Sequence, residues 1–481
     1  MPRLRISQRA IGSLLVTALA LAAGTGLAAC VGGGAAAAAT GAKDPPVNQW
    51  DTVATTNTPP LSQAEYLARA QQGVAPFSRW YDTKRGWYLE YLKDHTKMPL
   101  ASLWGSVSTL EVLSEVAIAS PSAANTAAVE SFADYYRHYW NPYLKPAPGY
   151  SPSPGPHTKT QETWYDDAGW IGLAFLDADE GIGSSRYLAD AERAFHFIVA
   201  GGWDRRAGGG VWWNTDYKLR SGEALAADTD LAARLYQTTR QATYLQWAKQ
   251  MMAWANKHLR EKHNGVYSTT SDVPYESYTY TVQSGGTHPG GGSVNGVGTP
   301  VGKAPKCPKK GKCICRVVSG HKLCAAGGGG GSFGGHPPPS GINPLDPKNE
   351  VPMPNDGIGA LLAAMTTLCQ ATGDRSYCGE AETYAANILK WLEPFDDGSE
   401  YDAILVRGFI TLYAEDHKER WYHFATSMAT VIIKNAESAP GVYLNGWDGE
   451  KSTPGAVPNM LRTDASSLEV FADLATVPAP G

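Results

Sequence analysis

The sequence predicts an all-α fold, an (α/α)6 barrel of alternating outer and inner helices. Three observations lead there: hydrophobic periodicity marks twelve helical segments without long strands, the segments alternate between two kinds, and so do the links joining them. The segments begin near residues 62, 100, 122, 164, 185, 221, 241, 355, 374, 400, 418 and 458.

Odd-numbered segments carry one apolar stripe. In the third it is Val129, Phe132, Tyr136 and Trp140; in the seventh Tyr244, Trp247, Met251 and Trp254; in the ninth Tyr377, Ala381, Tyr384, Ile388 and Leu392; in the eleventh Trp421, Phe424, Met428 and Val431. Spacings of three and four put each set on one helix face and leave the other to water. Several even-numbered segments are apolar nearly all round. The fourth has Trp170, Ile171, Leu173, Ala174, Phe175 and Leu176, the eighth Ile358 and Ala360 to Met365, the tenth Ala403 to Val406 with Phe409 and Ile410. Such helices must be enclosed.

Odd-to-even links are long and rich in Gly and aromatics: K-R-G-W-Y at 84–88, the Pro-rich 144–156, G-G-G-V-W-W-N at 208–214, H-N-G-V-Y at 263–267, F-D-D-G at 395–398 and G-V-Y-L-N-G-W at 441–447. Even-to-odd links are short, such as S-P-S-A-A-N at 120–125 and G-D-R at 373–375. In a ring of helical hairpins all loops of one kind share one face, so one end is elaborated and the other trimmed. The recurring G-V-[WY] is a weak internal repeat. An open solenoid of helix pairs shares the alternation, but the capping repeats it needs are not evident. The barrel is expected over 62–476. Segment 281–352, with G-G-G-G-G-S, H-P-P-P and four cysteines, reads as an insertion before the eighth helix, with no packed core beyond a small disulfide knot.

The formal charge is −5 and basic residues are not concentrated on any helix, so composition gives no reason for a nucleic-acid partner. The abundant Trp and Tyr suit sugar rings as well as cores. Arg3, Arg5 and Arg9 precede an apolar run from Ile11 to Ala29 that ends in Leu27-Ala28-Ala29-Cys30. Residues 1–29 read as a secretory signal resembling that of bacterial lipoproteins, with Cys30 lipidated; plain secretion with cleavage in the Ala-rich 35–39 is the alternative. Residues 30–61 read as an Ala-rich and polar linker. No later apolar run reaches the ~18 residues that span a bilayer. The expected location is extracellular or at the cell surface, with membrane contact only through the lipid anchor. Cys307, Cys313, Cys315 and Cys324 fall in the insertion, and Cys369 and Cys378 near a helix end. Disulfides are expected rather than zinc, because paired C-x-x-C units are lacking.

The candidate chemistry is in T-W-Y-D-D-A-G-W at 163–170. Asp166 and Asp167 open an inner helix directly after a long link, at the barrel mouth. Unpaired backbone N–H groups and the positive helix end favour the ionised form of one carboxyl. Its neighbour then meets a like charge and the apolar Trp164, Tyr165 and Trp170, both of which raise a carboxyl pKa. One acid stays charged while the other keeps its proton, the division of labour a glycosidase needs. The bland alternative is an N-cap with a first-turn acid. Asp396 and Asp397, before Gly398, read as a turn. Asp228 and Asp230, on the sixth helix, are placed to line the cavity, or alternatively to cap or pair with Arg234.

W-Y-D-D-A-G-W-I-G-L-A-F-L, G-G-G-V-W-W-N-T-D-Y-K, L-A-A-R-L-Y and N-D-G-I-G-A-L-L-A-A-M-T-T-L-C-Q-A-T-G-D occur in this order. They resemble the signature segments of glycoside hydrolase family 76, the alpha-1,6-mannanases, over roughly 75–475 apart from the insertion. That resemblance implies an (α/α)6 fold and a retaining mechanism, with Asp166 as nucleophile and Asp167 as general acid/base. Asn214, Asp216 and Lys218 are candidate hydroxyl binders on the same ground. Trp87, Trp164, Trp170, Trp212, Trp213, Tyr267 and Trp447 are candidate sugar-binding aromatics, with loop packing as the alternative, and Asp228 and Arg407 complete the candidate substrate residues. The implied partner of a monomeric protein is alpha-mannan. The insertion departs from the family pattern on the presumed substrate face, where Lys303, Lys306, Lys309, Lys310 and Lys312 form a basic patch. Transglycosylation on the same pair, or non-catalytic glycan binding, are the competing functions. There is no H-E-x-x-H helix, phosphate loop or nucleophile elbow, and no metal or cofactor is implied.

Overall fold

The structure, a computed structural model, describes residues 59–92, 100–205, 208–262, 264–269, 353–391, 398–447 and 459–480, and the backbone of a hairpin, β5 Cys313–Val318 with β6 His321–Ala326. The signal-like segment with Cys30, most of the linker, the lysines of the insertion, and Asp396 and Asp397 lie outside the described residues.

Twelve α-helices are present among the described residues: α1 Gln63–Val74, α2 Leu103–Ala119, α3 Ala123–Tyr135, α4 Tyr165–Ile182, α5 Leu188–Phe197, α6 Gly222–Thr239, α7 Ala242–His258, α8 Asn355–Thr372, α9 Arg375–Trp391, α10 Ser399–Asp416, α11 Glu419–Val431 and α12 Leu461–Thr476. Serine side chains at 62, 102, 122 and 221 cap α1, α2, α3 and α6 by accepting a first-turn N–H. Even-numbered helices form the inner ring: α2 packs on α4, α4 on α6, α6 on α8, α8 on α10, α10 on α12, and α12 returns to α2. That last contact closes the barrel and excludes the open solenoid. Odd-numbered helices pack outside it and bury one stripe each, such as Val129 and Phe132 of α3 or Trp421, Phe424 and Met428 of α11.

Closure requires tight crossings. A Cβ on Gly359 of α8 would lie 2.2 Å from the Ile404 carbonyl oxygen, and one on Gly408 of α10 2.5 Å from the Gly359 carbonyl oxygen, so both positions must be glycine for these helices to meet. The short links at the trimmed end turn through left-handed residues, Gly183, Arg240, Gly373 and His417. Cys369 and Cys378 form a disulfide across the α8–α9 link.

The long links carry small antiparallel pairings: β1 Tyr81–Asp82 with β2 Trp87–Tyr88, β3 Trp140–Asn141 with β4 Gly149–Tyr150, β7 Glu437–Ala439 with β8 Val442–Tyr443, and single bridges Trp203 to Val211 and Arg260 to Tyr267. The G-V-[WY] repeat is the return arm of such a pairing. Its glycines, Gly210, Gly265 and Gly441, all have positive φ, as does Gly86 of G-W-Y, and the aromatic that follows anchors the loop.

The barrel axis is not apolar. Arg407 of α10 donates to Glu111 of α2 at 2.8 Å and to Glu115 at 3.3 Å, and also bonds Asp177 of α4, which pairs with Arg234 of α6 as well. Asp230, Glu469 and Asp473 face the same layer electrostatically. Arg407, expected to touch substrate, is instead enclosed in this mid-barrel network. Two guanidinium groups face six carboxyls, so charge balance is kept by protons. Burial pushes Asp230 and Asp473 up to about 7, whereas Asp177, held by its two arginines, is shifted down.

An acid raised from an unfolded value of about 4 binds more protons in the folded chain, so its contribution is complete below that value and is lost as pH rises toward 7. The thermal midpoint is therefore expected to be higher at pH 5 than at pH 8; circular dichroism melts would contradict this with a midpoint that climbs. Arg407→Met is expected to destabilise by about 3–5 kcal/mol near neutrality, and by less at pH 5.

Candidate active site

The first turn of each inner helix lies on the face of the long links. α4 starts where two extended stretches pair: Trp164 bridges Asn214, the Tyr165 N–H donates to the Trp213 carbonyl at 2.9 Å, and the Thr215 N–H to the Thr163 carbonyl at 3.0 Å. This pairing brings the Trp213 indole to Asp166, where Nε1 donates to Oδ2 at 2.9 Å. The Asp167 backbone N–H donates to Oδ1, also at 2.9 Å. Each oxygen of the partly exposed Asp166 thus receives one N–H.

Burial pushes Asp166 up to about 6, against the downward pull of the Asp167 N–H and the Trp213 indole. Asp167, 8% exposed, is driven well above the carboxylate range, first by burial and then by the charge of Asp166; Arg462 opposes this and Glu90 adds to it. The two neighbours therefore ionise in order, Asp166 first. The separation in affinity expected from the sequence is present: burial is the largest cause of both upward shifts, the charge of Asp166 raises Asp167 further, and the two N–H donors hold Asp166 lower.

Three more inner helices complete the mouth. Trp104 of α2 packs 5.9 Å from Trp170 of α4 and 6.1 Å from Tyr401 of α10, ring centre to ring centre. The guanidinium of Arg462, from α12, lies 4.7 Å over the Trp104 ring and bonds Glu400 of α10 at 2.8 Å. Trp104, Glu400, Tyr401 and Arg462 were not singled out in the sequence. Their shared signal is position: each occupies the first turn of an even-numbered helix, as Asp166 and Asp167 do.

Of the predicted substrate residues, Trp213 is partly exposed and bonds Asp166, Trp164 and Trp212 are partly exposed, Trp212 with its ring edge-on to Tyr217, and Trp170 packs on Trp104. The others are placed differently. Trp87 is buried, stacked on Tyr135 at 3.7 Å with its indole bonded to Tyr139. Tyr267 is buried against Tyr384 and bonds Asn256; Trp447 is buried and donates to Ser467. All three are loop anchors, not sugar platforms. Asn214 is buried, donating to Glu162 and accepting from the Asp216 N–H, so it fixes the loop. Asp216 and Lys218 pair at 3.0 Å on the exposed rim. Asp228 is 0% exposed beneath Gly169, faces the charge of Asp166, and neither of its carboxylate oxygens has a hydrogen-bond partner among the described residues. Two grooves of about 420 Å³ flank Trp140 on the outer wall, and neither includes a mouth residue.

A closed double ring of helices carries two unequally ionising carboxyls near aromatic rings at its elaborated end, the division of labour that glycoside hydrolysis requires. Residues 132–285 match the model of glycosyl hydrolase family 76. No curated protein matches the sequence. Among solved structures, a family 76 alpha-mannanase from Bacteroides thetaiotaomicron superposes with a TM-score of 0.63 at 16% identity, over 88% of this chain and 97% of that one. The alpha-1,6-mannanase from Salegentibacter sp. gives 0.57 at 16% identity, over 85% and 99%. An inactive variant of the latter, with two consecutive aspartates replaced by alanine and in complex with alpha-1,6-mannotetrose, gives 0.57 at 16% identity, over 85% and 98%. At such identities these likenesses establish the fold.

Replacing Trp213 by Phe removes the indole donor and keeps the ring. The Asp166 carboxyl is then expected to titrate higher than in the parent, as followed by carbon NMR of labelled aspartate; an unchanged titration would mean the indole bond does not act on it.

Proposed function

We propose that this protein is a retaining hydrolase of alpha-1,6-linked mannan, with Asp166 as nucleophile and Asp167 as general acid/base. The observation that carries this reading is the ordered ionisation of two adjacent carboxyls in the mouth of the barrel. The complex of the Salegentibacter variant, in which loss of two consecutive aspartates accompanies bound mannotetrose, supports the substrate class.

In the first step an Asp166 carboxylate oxygen attacks the anomeric carbon, the bond to the glycosidic oxygen breaks, and Asp167 transfers its proton to that oxygen. The product is a glycosyl ester on Asp166. Asp167, now ionised, takes a proton from water as the water oxygen attacks the anomeric carbon, which releases the sugar and restores both carboxyls. The N–H groups of Trp213 and Asp167 keep Asp166 ionised near neutrality and fix its orientation. The aromatic walls exclude water and strengthen these interactions.

The same reading places the protein outside the cytoplasm as a monomer tethered through Cys30. The segment 1–29 and the Cys369–Cys378 disulfide, which suits an oxidising compartment, support it.

The soluble domain is expected to release reducing mannose oligosaccharides from linear alpha-1,6-mannan, and Asp166→Ala and Asp167→Ala each to lose about 10³-fold or more in kcat/KM. Undiminished turnover in both variants would falsify the assignment. The pH profile of kcat/KM is expected to rise through about 6 as Asp166 ionises and to fall at higher pH as Asp167 loses its proton. A profile that falls through pH 6 would reverse the two roles.

A further inference from the structure

Arg462 presents donors that the protein itself does not use. It is 4% exposed, and among the described residues only its Nη2 has a protein acceptor, the Oε1 of Glu400 at 2.8 Å. Nε and Nη1, which carry three N–H groups between them, have no partner there. Buried donors left without acceptors cost free energy, and most so on a charged group. The charge of Arg462 faces Glu90 as well as Glu400, but Nε and Nη1 bond neither, so charge pairing accounts for the cation and not for these donors. The guanidinium plane is held from two sides, by the Trp104 ring at 4.7 Å and by Glu400 at its end. Glu90, whose backbone carbonyl accepts the Leu461 N–H at 3.1 Å, brings a further buried atom without a hydrogen-bond partner among the described residues, Oε1, to the same end of α12.

A donor set, an acceptor and an aromatic wall fit one kind of ligand, a pyranose. Its hydroxyl oxygens accept from guanidinium N–H groups, its hydroxyl hydrogens donate to a carboxylate, and its C–H face lies on aromatic rings. We propose that Arg462 is a specificity-determining residue that donates from Nε and Nη1 to hydroxyl oxygens of the mannosyl unit seated in the mouth, with Glu400 and Trp104 fixing its plane. This rests on the mannan reading above and adds the residue that recognises the sugar. Asp166 and Asp167 act at the anomeric carbon and the glycosidic oxygen, whereas Arg462 reads hydroxyls away from the broken bond.

The test measures binding by calorimetry in an Asp166→Asn background, so that ligand is not consumed. The ligands are alpha-1,6-mannobiose and its analogues in which one hydroxyl at a time is replaced by hydrogen. With Arg462 present, at least one replacement is expected to weaken binding about tenfold or more. In Arg462→Met the same replacement is expected to cost little, because the donor is gone. Arg462→Lys keeps the charge and guards against a folding defect; it is expected to bind the parent disaccharide about tenfold more weakly, with an unchanged melting temperature. In the active enzyme it is expected to raise KM more than it lowers kcat and to leave the alkaline limb of the pH profile in place. If every deoxy analogue carried the same penalty in the Arg462→Met protein as in the protein that retains the arginine, the proposal would be overturned. So would a shifted limb with unchanged KM, which would reduce Arg462 to an electrostatic neighbour of Asp167. If the protein binds mannobiose yet the aspartate variants stay active, the catalytic assignment fails while the Arg462 result still stands or falls on its own; if it binds no mannoside, both fail.

Discussion

Desolvation of carboxyls inside a closed helical ring is the constraint on which this structure turns. Because α12 returns to α2, the inner helices have no face toward bulk water, and any acid they carry must be neutralised by a proton, a guanidinium or a ligand. Half-way along the axis the solution is internal: Arg234 and Arg407 serve several carboxyls, and protons cover the remainder. At the mouth it is incomplete by construction. Asp166 is partly exposed and accepts from two N–H donors, Asp167 is buried, and the difference between them is what a two-step displacement requires.

The mouth also depends on loops that lie outside the helical core. The G-G-G-V-W-W-N stretch lies between α5 and α6, yet its pairing with residues 163–165 brings the Trp213 indole to an acid on α4. The hairpin beyond α1 does similar work at lower chemical stakes, since Glu90 accepts the Ser102 N–H at the start of α2. These long links thus fix the first turns of inner helices, and the first turns hold the candidate site.

Much of the fold was legible because helix periodicity and link length are local. All twelve helix starts fall within a few residues of those read from the sequence, and the alternation of striped and enclosed helices is the alternation of outer and inner rings. The acid pair was legible because adjacency is itself local. The aromatic assignments failed for a different reason: a Trp or Tyr after a glycine of positive φ is equally suited to anchor a hairpin, and Trp87 does that, while Tyr267 and Trp447 anchor their links in the same buried manner. Arg407 misled because a charge on an apolar helix signals function as readily as it signals a partner on a distant helix, and Glu111 lies 296 residues away.

The residues that escaped notice share a geometric cause. Trp104, Tyr401 and Arg462 are single side chains on three helices, and no spacing along the chain relates them. Only ring closure places α12 beside α2, so that a guanidinium from near the end of the sequence covers an indole from its first quarter. The topology itself supplies the missing signal: in a barrel of helical hairpins the first turn of each inner helix points to one end, so a polar or aromatic residue there belongs to a common site even when its neighbours in sequence are apolar. Reading the six first turns together, rather than each helix alone, joins Asp167 to Arg462, whose positive charge opposes the upward shift that burial and Asp166 impose on Asp167.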